Sequence, residues 1–348
     1  MNNHQMMLFT LIQKTLPQNL ILVNVVSELL NISYDAAYRR IRGDKPISLE
    51  EAITLCNHFN ISLDSLAKAT DEKNIQCQYS PIDLSDLSSY IAYLQELAGS
   101  IESARMAPDG EIIFTAVDIP IFNYSAFKEM AFFKLFAWSN SVNSFTGNYD
   151  EFVKRLDIPK LSNSFDKIVK NYLLCPSTEV WTDNTIDQII RLLYHHYEMG
   201  HLGNEDFPLL ICGELWELIN TYHQWTETGC KGSSETPFKF YVSDVDLSNT
   251  YVLYRKNETI NCDLKLFTIN HFDIFDQRFC HEMETWLNTA IQRSTLITGA
   301  AEKYRYKFFS EQRQKIIYLV NKILANADRG RVEYDDIGRR PLSDYIIW

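Results

Sequence analysis

No apolar run in this sequence reaches the roughly 18 residues that a membrane-spanning helix needs. The opening stretch MNNHQMMLFTLIQK has neither a basic leader nor a small-residue cleavage site, so the chain is expected in the cytoplasm, away from any membrane. Cysteine is sparse and unpatterned. The seven residues Cys56, Cys77, Cys175, Cys212, Cys230, Cys262 and Cys280 are odd in number and never spaced as CxxC, which argues for reduced, mostly buried thiols and against a thiolate zinc centre. The sequence has no GxxxxGK[ST] phosphate loop, no strand-linked GxGxxG and no GxSxG elbow, and it shows no internal repeat or low-complexity tract. These absences lead to the expectation of no catalytic residue, no cofactor and no metal.

Positive charge is also short. Lys and Arg number 33 against 45 Asp and Glu, a net charge of −12 and a pI near 5.2, which on its face opposes a nucleic-acid partner. The distribution weakens that objection. Residues 1–70 are neutral, with Lys14, Arg39, Arg40, Arg42, Lys45 and Lys68 balancing Glu28, Asp35, Asp44, Glu50, Glu51 and Asp64. Four of those six cations fall between Arg39 and Lys45.

What is present supports folding throughout. Hydrophobic residues make up 46% and charged residues 22%, as in globular proteins, and 348 residues exceed what one core usually organises, so two domains are expected. The aromatic share of 13% is high and is expected to build core. Apolar residues at helical spacing over 6–16 stop at Pro17. A second helix, from Leu20 to Leu30, has Val23, Val26, Leu29 and Leu30 on one face and ends at Asn31, which tolerates a left-handed turn. Ser33 or Asp35 caps a third helix, from Tyr34 to Arg42, stopped by Gly43 with Pro46 beyond. Ser48 and Glu51 form a capping box opening a fourth helix through Phe59, and Ser62 opens a short fifth.

Two short helices joined by a few residues are a helix-turn-helix arrangement. The motifs VVSELLNIS at 25–33, YRRIRG at 38–43, SLEEAITLCNHF at 48–59 and ISLDSLA at 61–67 resemble the Cro/C1-type (XRE) helix-turn-helix family of bacterial repressors. In that family the second of the two helices reads DNA. The chain departs from the pattern at Asn31, in place of the turn glycine, at Ser27, in place of a small alanine, and at Arg40 beside Ile41, where an apolar residue is usual. The last change leaves the rotation of the third helix open by about one position. The resemblance implies that Ala37 and Ile41 face the core. It places Ser33, Tyr34, Asp35, Tyr38, Arg39 and Arg42 toward the groove, with Lys45 available to phosphates. Arg39 or Arg42 suits paired hydrogen bonds to guanine.

Beyond a polar linker at 71–82, helix-like periodicity covers Asp83–Met106, and EIIFTAVDI at 111–119 reads as a buried strand. Helical patterns follow at 127–138, 162–174, 183–199 and 206–228, and again at 276–293 and 302–327. Between them, Lys239–Phe275 is rich in Tyr, Val, Thr and Phe and is expected to form an antiparallel meander of about three strands. In HHYEMGH, His195 and Glu198 share a helix face, but the spacing fits no known metal motif, and a helix end is the favoured explanation. The cationic run Lys303, Arg305, Lys307, Arg313, Lys315 and Lys322 is expected to be a solvated helix face.

The expected fold is mainly α within an α+β class. A five-helix helix-turn-helix domain at 1–70 and the linker at 71–82 precede a larger, mostly helical domain at 83–327 with a small antiparallel sheet, and a tail covers 328–348. The expected function is a non-enzymatic transcriptional regulator that binds a double-stranded DNA operator as a homodimer. Its second domain is expected to serve oligomerisation or to sense a small-molecule effector. The alternative is a protein-interaction regulator whose helix-turn-helix module docks a protein partner.

Overall fold

A computed structural model describes residues 3–16, 20–59, 61, 63, 75, 77–142, 144–204, 206–233, 235–245, 247–257 and 259–326. The helix expected at Ser62, residues 71–74 and 76 of the expected linker and the tail at 328–348 lie outside them. The chain divides into two compact units, Met1–Gln76 and Cys77–Trp348. Among the described residues no helix is long and apolar enough to cross a membrane.

The first unit holds helices α1 (Asn3–Thr15), α2 (Leu22–Leu29), α3 (Tyr34–Ile41) and α4 (Leu49–His58). Their apolar faces converge: Leu8, Phe9 and Ile12 of α1 pack with Val23 and Val26 of α2, Ala37 of α3 and Leu55 of α4. Asn31 adopts φ +50° in the turn between α2 and α3. Ser48 and Glu51 form the reciprocal capping box at the start of α4, the Glu51 amide donating to Ser48 Oγ at 3.1 Å and the Ser48 amide to Glu51 Oε2 at 3.0 Å.

Arg40 lies inside this unit. Its Nε donates to Glu51 Oε2 at 3.0 Å and its Nη2 to Glu51 Oε1 at 2.7 Å, while Nη1 reaches the Ala36 carbonyl at 3.2 Å. The Glu51 carboxylate therefore serves a helix cap and a largely buried ion pair at once. Removing it leaves a guanidinium without its counter-charge, which costs far more than removing both partners. Glu51→Ala is expected to destabilise the first unit by about 2–4 kcal/mol, and Arg40→Met with Glu51→Leu by much less. Hydrogen exchange of the α3 and α4 amides in the full chain measures this, and unchanged protection in Glu51→Ala would refute it. The hydrogen bond from Arg40 holds the Glu51 carboxyl below its ordinary 4.5. Its stabilisation is therefore complete above that value and is lost as pH falls through the lower folded one.

The second unit is built on a nine-stranded mixed sheet, which corrects the expectation of a small antiparallel one. The strands are β1 (Cys77–Tyr79), β2 (Glu111–Ala116), β3 (Ser177–Thr182), β4 (Cys230–Lys231), β5 (Thr236–Ser243), β6 (Tyr251–Lys256), β7 (Thr259–Lys265), β8 (His271–Ile274) and β9 (Thr295–Leu296). Their order is β1-β8-β7-β6-β2-β3-β5-β4, with β9 paired to β5. β6, β7 and β8 form an antiparallel meander, but β2, β3 and β5 are parallel neighbours at the centre. β1, at the end of the expected linker, pairs antiparallel with β8 at the sheet edge.

The helices of this unit are α5 (Leu87–Met106), α6 (Ile121–Tyr124), α7 (Lys128–Ser141), α8 (Tyr149–Val153), α9 (Ile158–Leu173), α10 (Asp187–Glu198), α11 (Phe207–Thr228), α12 (Gln277–Gln292) and α13 (Glu302–Asn326). Parallel pairing requires a long crossover, and α6 to α9 supply it between β2 and β3. Side chains alternate across the sheet. Ile112 and Phe114 enter the large core shared with α5, α7, α9, α11 and α13, whereas Ile113 joins Leu253, Cys262 and Leu287 in a smaller core under α12. Both faces of the central strands are therefore covered. All seven cysteines are free, and five of them are buried.

Candidate functional site

The exposed face of α3 carries the residues singled out from the sequence. Ser33 is the N-cap, its Oγ accepting from the Ala36 amide at 3.3 Å, and Asp35 sits in the first turn, where a carboxylate complements the helix dipole. Tyr34 is 59% and Tyr38 46% exposed, unusual for aromatic residues that serve a core. Arg39, Arg42 and Lys45 are exposed as well. The Arg42 guanidinium lies 5.7 Å from the Tyr38 ring centroid, and its Nε is 3.6 Å from Asp44 Oδ2. Ala37 is buried and Ile41 half-buried against the core of the first unit. Arg40 points inward, neutralised by Glu51, so among the described residues the cations of this face are Arg39, Arg42 and Lys45.

One positioning residue has no signal in the sequence. Gln5, buried in α1, donates through Nε2 to the carbonyls of Arg40 at 2.7 Å and Lys45 at 2.8 Å, and its Oε1 accepts from the Ile47 amide at 3.1 Å. Three hydrogen bonds from one side chain fix the segment that follows α3 and hold its cations in a defined place relative to α1. A glutamine in an amphipathic helix usually faces solvent, and only the tertiary structure shows this one turned inward.

A second polar cluster lies in the core of the other unit. Lys231 Nζ donates to Ser177 Oγ at 2.6 Å and sits 3.4 Å from the Tyr172 ring centroid, and Tyr172 Oη is 3.3 Å from Ser177 Oγ. Beside them Glu179 accepts from Tyr172, Trp181 and Tyr222. A serine beside a lysine whose pKa burial depresses to about 7 has the composition of an activated nucleophile. Yet Ser177, Lys231 and Tyr172 are all sealed from solvent, so the cluster has the geometry of a structural network and offers no surface to a substrate.

The depressed lysine has a measurable consequence. Because its folded value lies below the ordinary 10.5, the folded chain binds fewer protons than the unfolded chain between about pH 7 and 10.5, and the burial penalty falls as pH rises through that window. Relative to Lys231→Met, the wild type is expected to gain a few kcal/mol between pH 7 and 9.5 in urea unfolding. Parallel pH profiles for the two proteins would contradict it.

The histidine cluster of α10 does not converge. His195 and Glu198 are exposed, whereas His196 is buried with its Nδ1 3.1 Å from His201 Nδ1, a spacing that needs one nitrogen to donate and the other to accept. Burial lowers His196 to about 4 and so favours the neutral ring. Among the described residues no group of three potential ligands could hold a metal ion.

The cations of α13 are not the solvated face expected of them. Arg305 is buried against the Ile297 and Gly299 carbonyls, and Arg313 is buried against Asn220 and His223 of α11. Lys315 binds Asp187, and Lys322 lies 3.5 Å from the Tyr194 ring centroid; Lys303 and Lys307 are exposed. Most of this charge fastens α13 to its neighbours. No family model, no curated protein and no solved structure matches the chain.

Proposed function

We propose that the chain is a sequence-specific DNA-binding regulator of transcription, working in the cytoplasm as a homodimer, with α3 as the helix that enters the major groove. The observation that carries this reading is the division of α3: Ala37 and Arg40 anchor it inward, while Tyr34, Tyr38, Arg39 and Arg42 are exposed on the opposite side of a helix locked at both ends by Ser33 and the Gln5 hydrogen bonds. Arginine offers a paired donor set for guanine, and tyrosine and lysine suit phosphates. The acidic remainder of the sequence does not oppose this in principle, because phosphate attraction acts within about a Debye length. Three cations per chain make a small electrostatic footprint, and a second copy doubles it. The sequence resemblance to Cro/C1-type repressors points the same way.

Selection from a random pool of duplex DNA tests the reading. Enrichment of a palindromic motif with half-sites about one helical turn apart is expected, with binding that weakens steeply as salt rises. No enrichment, or binding indifferent to salt, would overturn it. In that case the exposed Tyr34 and Tyr38 beside Arg42 favour the second reading, a protein-docking face, since tyrosine and arginine are the residues enriched at the centres of such interfaces.

A further inference from the structure

Within the second unit a pocket of about 90 Å³ opens between α5, the segment following β2, and the β6–β8 meander. At roughly 10–15 Å³ per water position, it has room for about six to nine non-hydrogen atoms. Leu97, Ile119, Ile121 and Trp138 line one part of it, and Asp263 and Lys265 of β7 with His271 of β8 line another. The pairing of those two strands sets its electrostatics. Register places Asp263 opposite Asp273 and Lys265 opposite His271, and because side chains alternate along a strand, all four lie on one face of the sheet. Like charges face each other across the strands, which destabilises a sheet, whereas exchanging His271 with Asp273 would make both pairs attractive. The meander therefore carries a row of carboxylates and a row of cations, two residues or about 7 Å apart.

Neighbouring charges cancel neither row. Beside the cations, Asp118 accepts from the buried Lys134 ammonium at 2.7 and 2.8 Å, and Lys265 Nζ approaches the same carboxylate to 3.8 Å, so two ammonium groups share one carboxylate. In the acidic row His271 Nε2 lies 3.1 Å from Asp273 Oδ1, so two carboxylates share one imidazole, and Asp263 forms no ion pair among the described residues. With Asp263 ionised, a positive charge is in excess at one end of the pocket and a negative charge at the other. A ligand with a single charge would satisfy one row and be repelled by the other. A zwitterion satisfies both.

We infer that this pocket is a binding site for a small apolar α-amino acid, its carboxylate on Lys265 and its ammonium on Asp263. The short distance between the rows suits two charges carried on one carbon, and the apolar walls and the volume suit a side chain between those of alanine and leucine. The site lies wholly in the second unit, and its test is independent of DNA. Calorimetric titration of the full chain with L-alanine, L-valine, L-leucine and L-isoleucine is the experiment. Each is compared with the amine that lacks its carboxylate and the acid that lacks its ammonium, which for valine are isobutylamine and 3-methylbutanoate. Burial and the Asp273 charge hold the Asp263 carboxyl up to about 7, so the titrations are run at pH 8, where it is ionised. At least one amino acid is expected to bind one per chain, at least tenfold more tightly than either of its single-charge analogues. Lys265→Met and Asp263→Asn are each expected to weaken that amino acid at least tenfold. Asp263→Asn keeps the side-chain shape and removes the repulsion from Asp273, so its loss of affinity is expected at a thermal midpoint no lower than that of wild type. Binding of none of the four amino acids overturns the assignment. So does a margin below tenfold over either analogue, or a loss below tenfold in both variants.

Discussion

Replacing Arg39 and Arg42 together by alanine is expected to lower operator affinity at least about thirtyfold, because each arginine placed on guanine contributes about 1–3 kcal/mol and both side chains stand clear of the core. The exposure of these positions makes the result interpretable. Neither side chain joins the cluster of Leu8, Val26, Ala37 and Leu55, so the thermal midpoint of the double variant should match wild type. Arg42 is already engaged with Asp44 and the Tyr38 ring, and must exchange those partners for a base, so the loss in Arg39→Ala should exceed that in Arg42→Ala. Fluorescence anisotropy on the selected operator, repeated across salt concentrations, measures both effects. An arginine that pairs with a phosphate flattens the salt slope by roughly 1 per ion pair when it is removed, whereas removing one that pairs with a base leaves the slope and abolishes discrimination. The proposed function fails if the double variant binds within threefold of wild type.

The first unit was largely legible because its signals are local. Helical periodicity, the Ser33 cap, the left-handed Asn31 and the Ser48–Glu51 box all lie within a few residues of the element they delimit. Arg40 shows where local signals end. Its place on the inner face depends on a carboxylate eleven residues away, and the residue type alone argues for solvent. In the second unit β3 went unseen for a similar reason. Its core-facing positions are Ser177, Glu179 and Trp181, so the apolar alternation that identifies a strand is broken by a serine and a glutamate whose partners come from α9, α11 and β4. With β3 missing, β2 had no visible neighbour, and the parallel register that sets Ile112 opposite Ser177 joins residues too distant for any pattern to connect.

Glu179 should be the most sensitive single position in the second unit. It sits in the central parallel strands, fully buried, with Trp181 Nε1 donating at 2.7 Å, Tyr222 Oη at 3.0 Å and Tyr172 Oη also bonded to it. Alanine would remove the acceptor and leave four donors in a dry core, the fourth being Asn123 Nδ2 at 3.4 Å, each worth about 1–3 kcal/mol, so a loss of at least about 4 kcal/mol is expected from a stability that is typically about 5–15. Glutamine keeps one acceptor oxygen, and the tyrosine hydroxyls can turn to accept from its amide, so it should lose only about 1–2 kcal/mol. The order Ala far below Gln separates loss of hydrogen bonding from loss of charge. pH separates them again. Burial raises the Glu179 carboxyl above its ordinary 4.5, so the favourable contribution of its protonated form is complete below that value and is lost as pH rises through the folded one. Glutamine cannot ionise, so the wild-type advantage over Glu179→Gln should shrink as pH rises from acid toward neutrality. Urea unfolding followed by circular dichroism at several pH values measures both comparisons. Equal stability of the alanine and glutamine variants would mean that Tyr172, Trp181 and Tyr222 find other acceptors, and that β3 is not held through its glutamate.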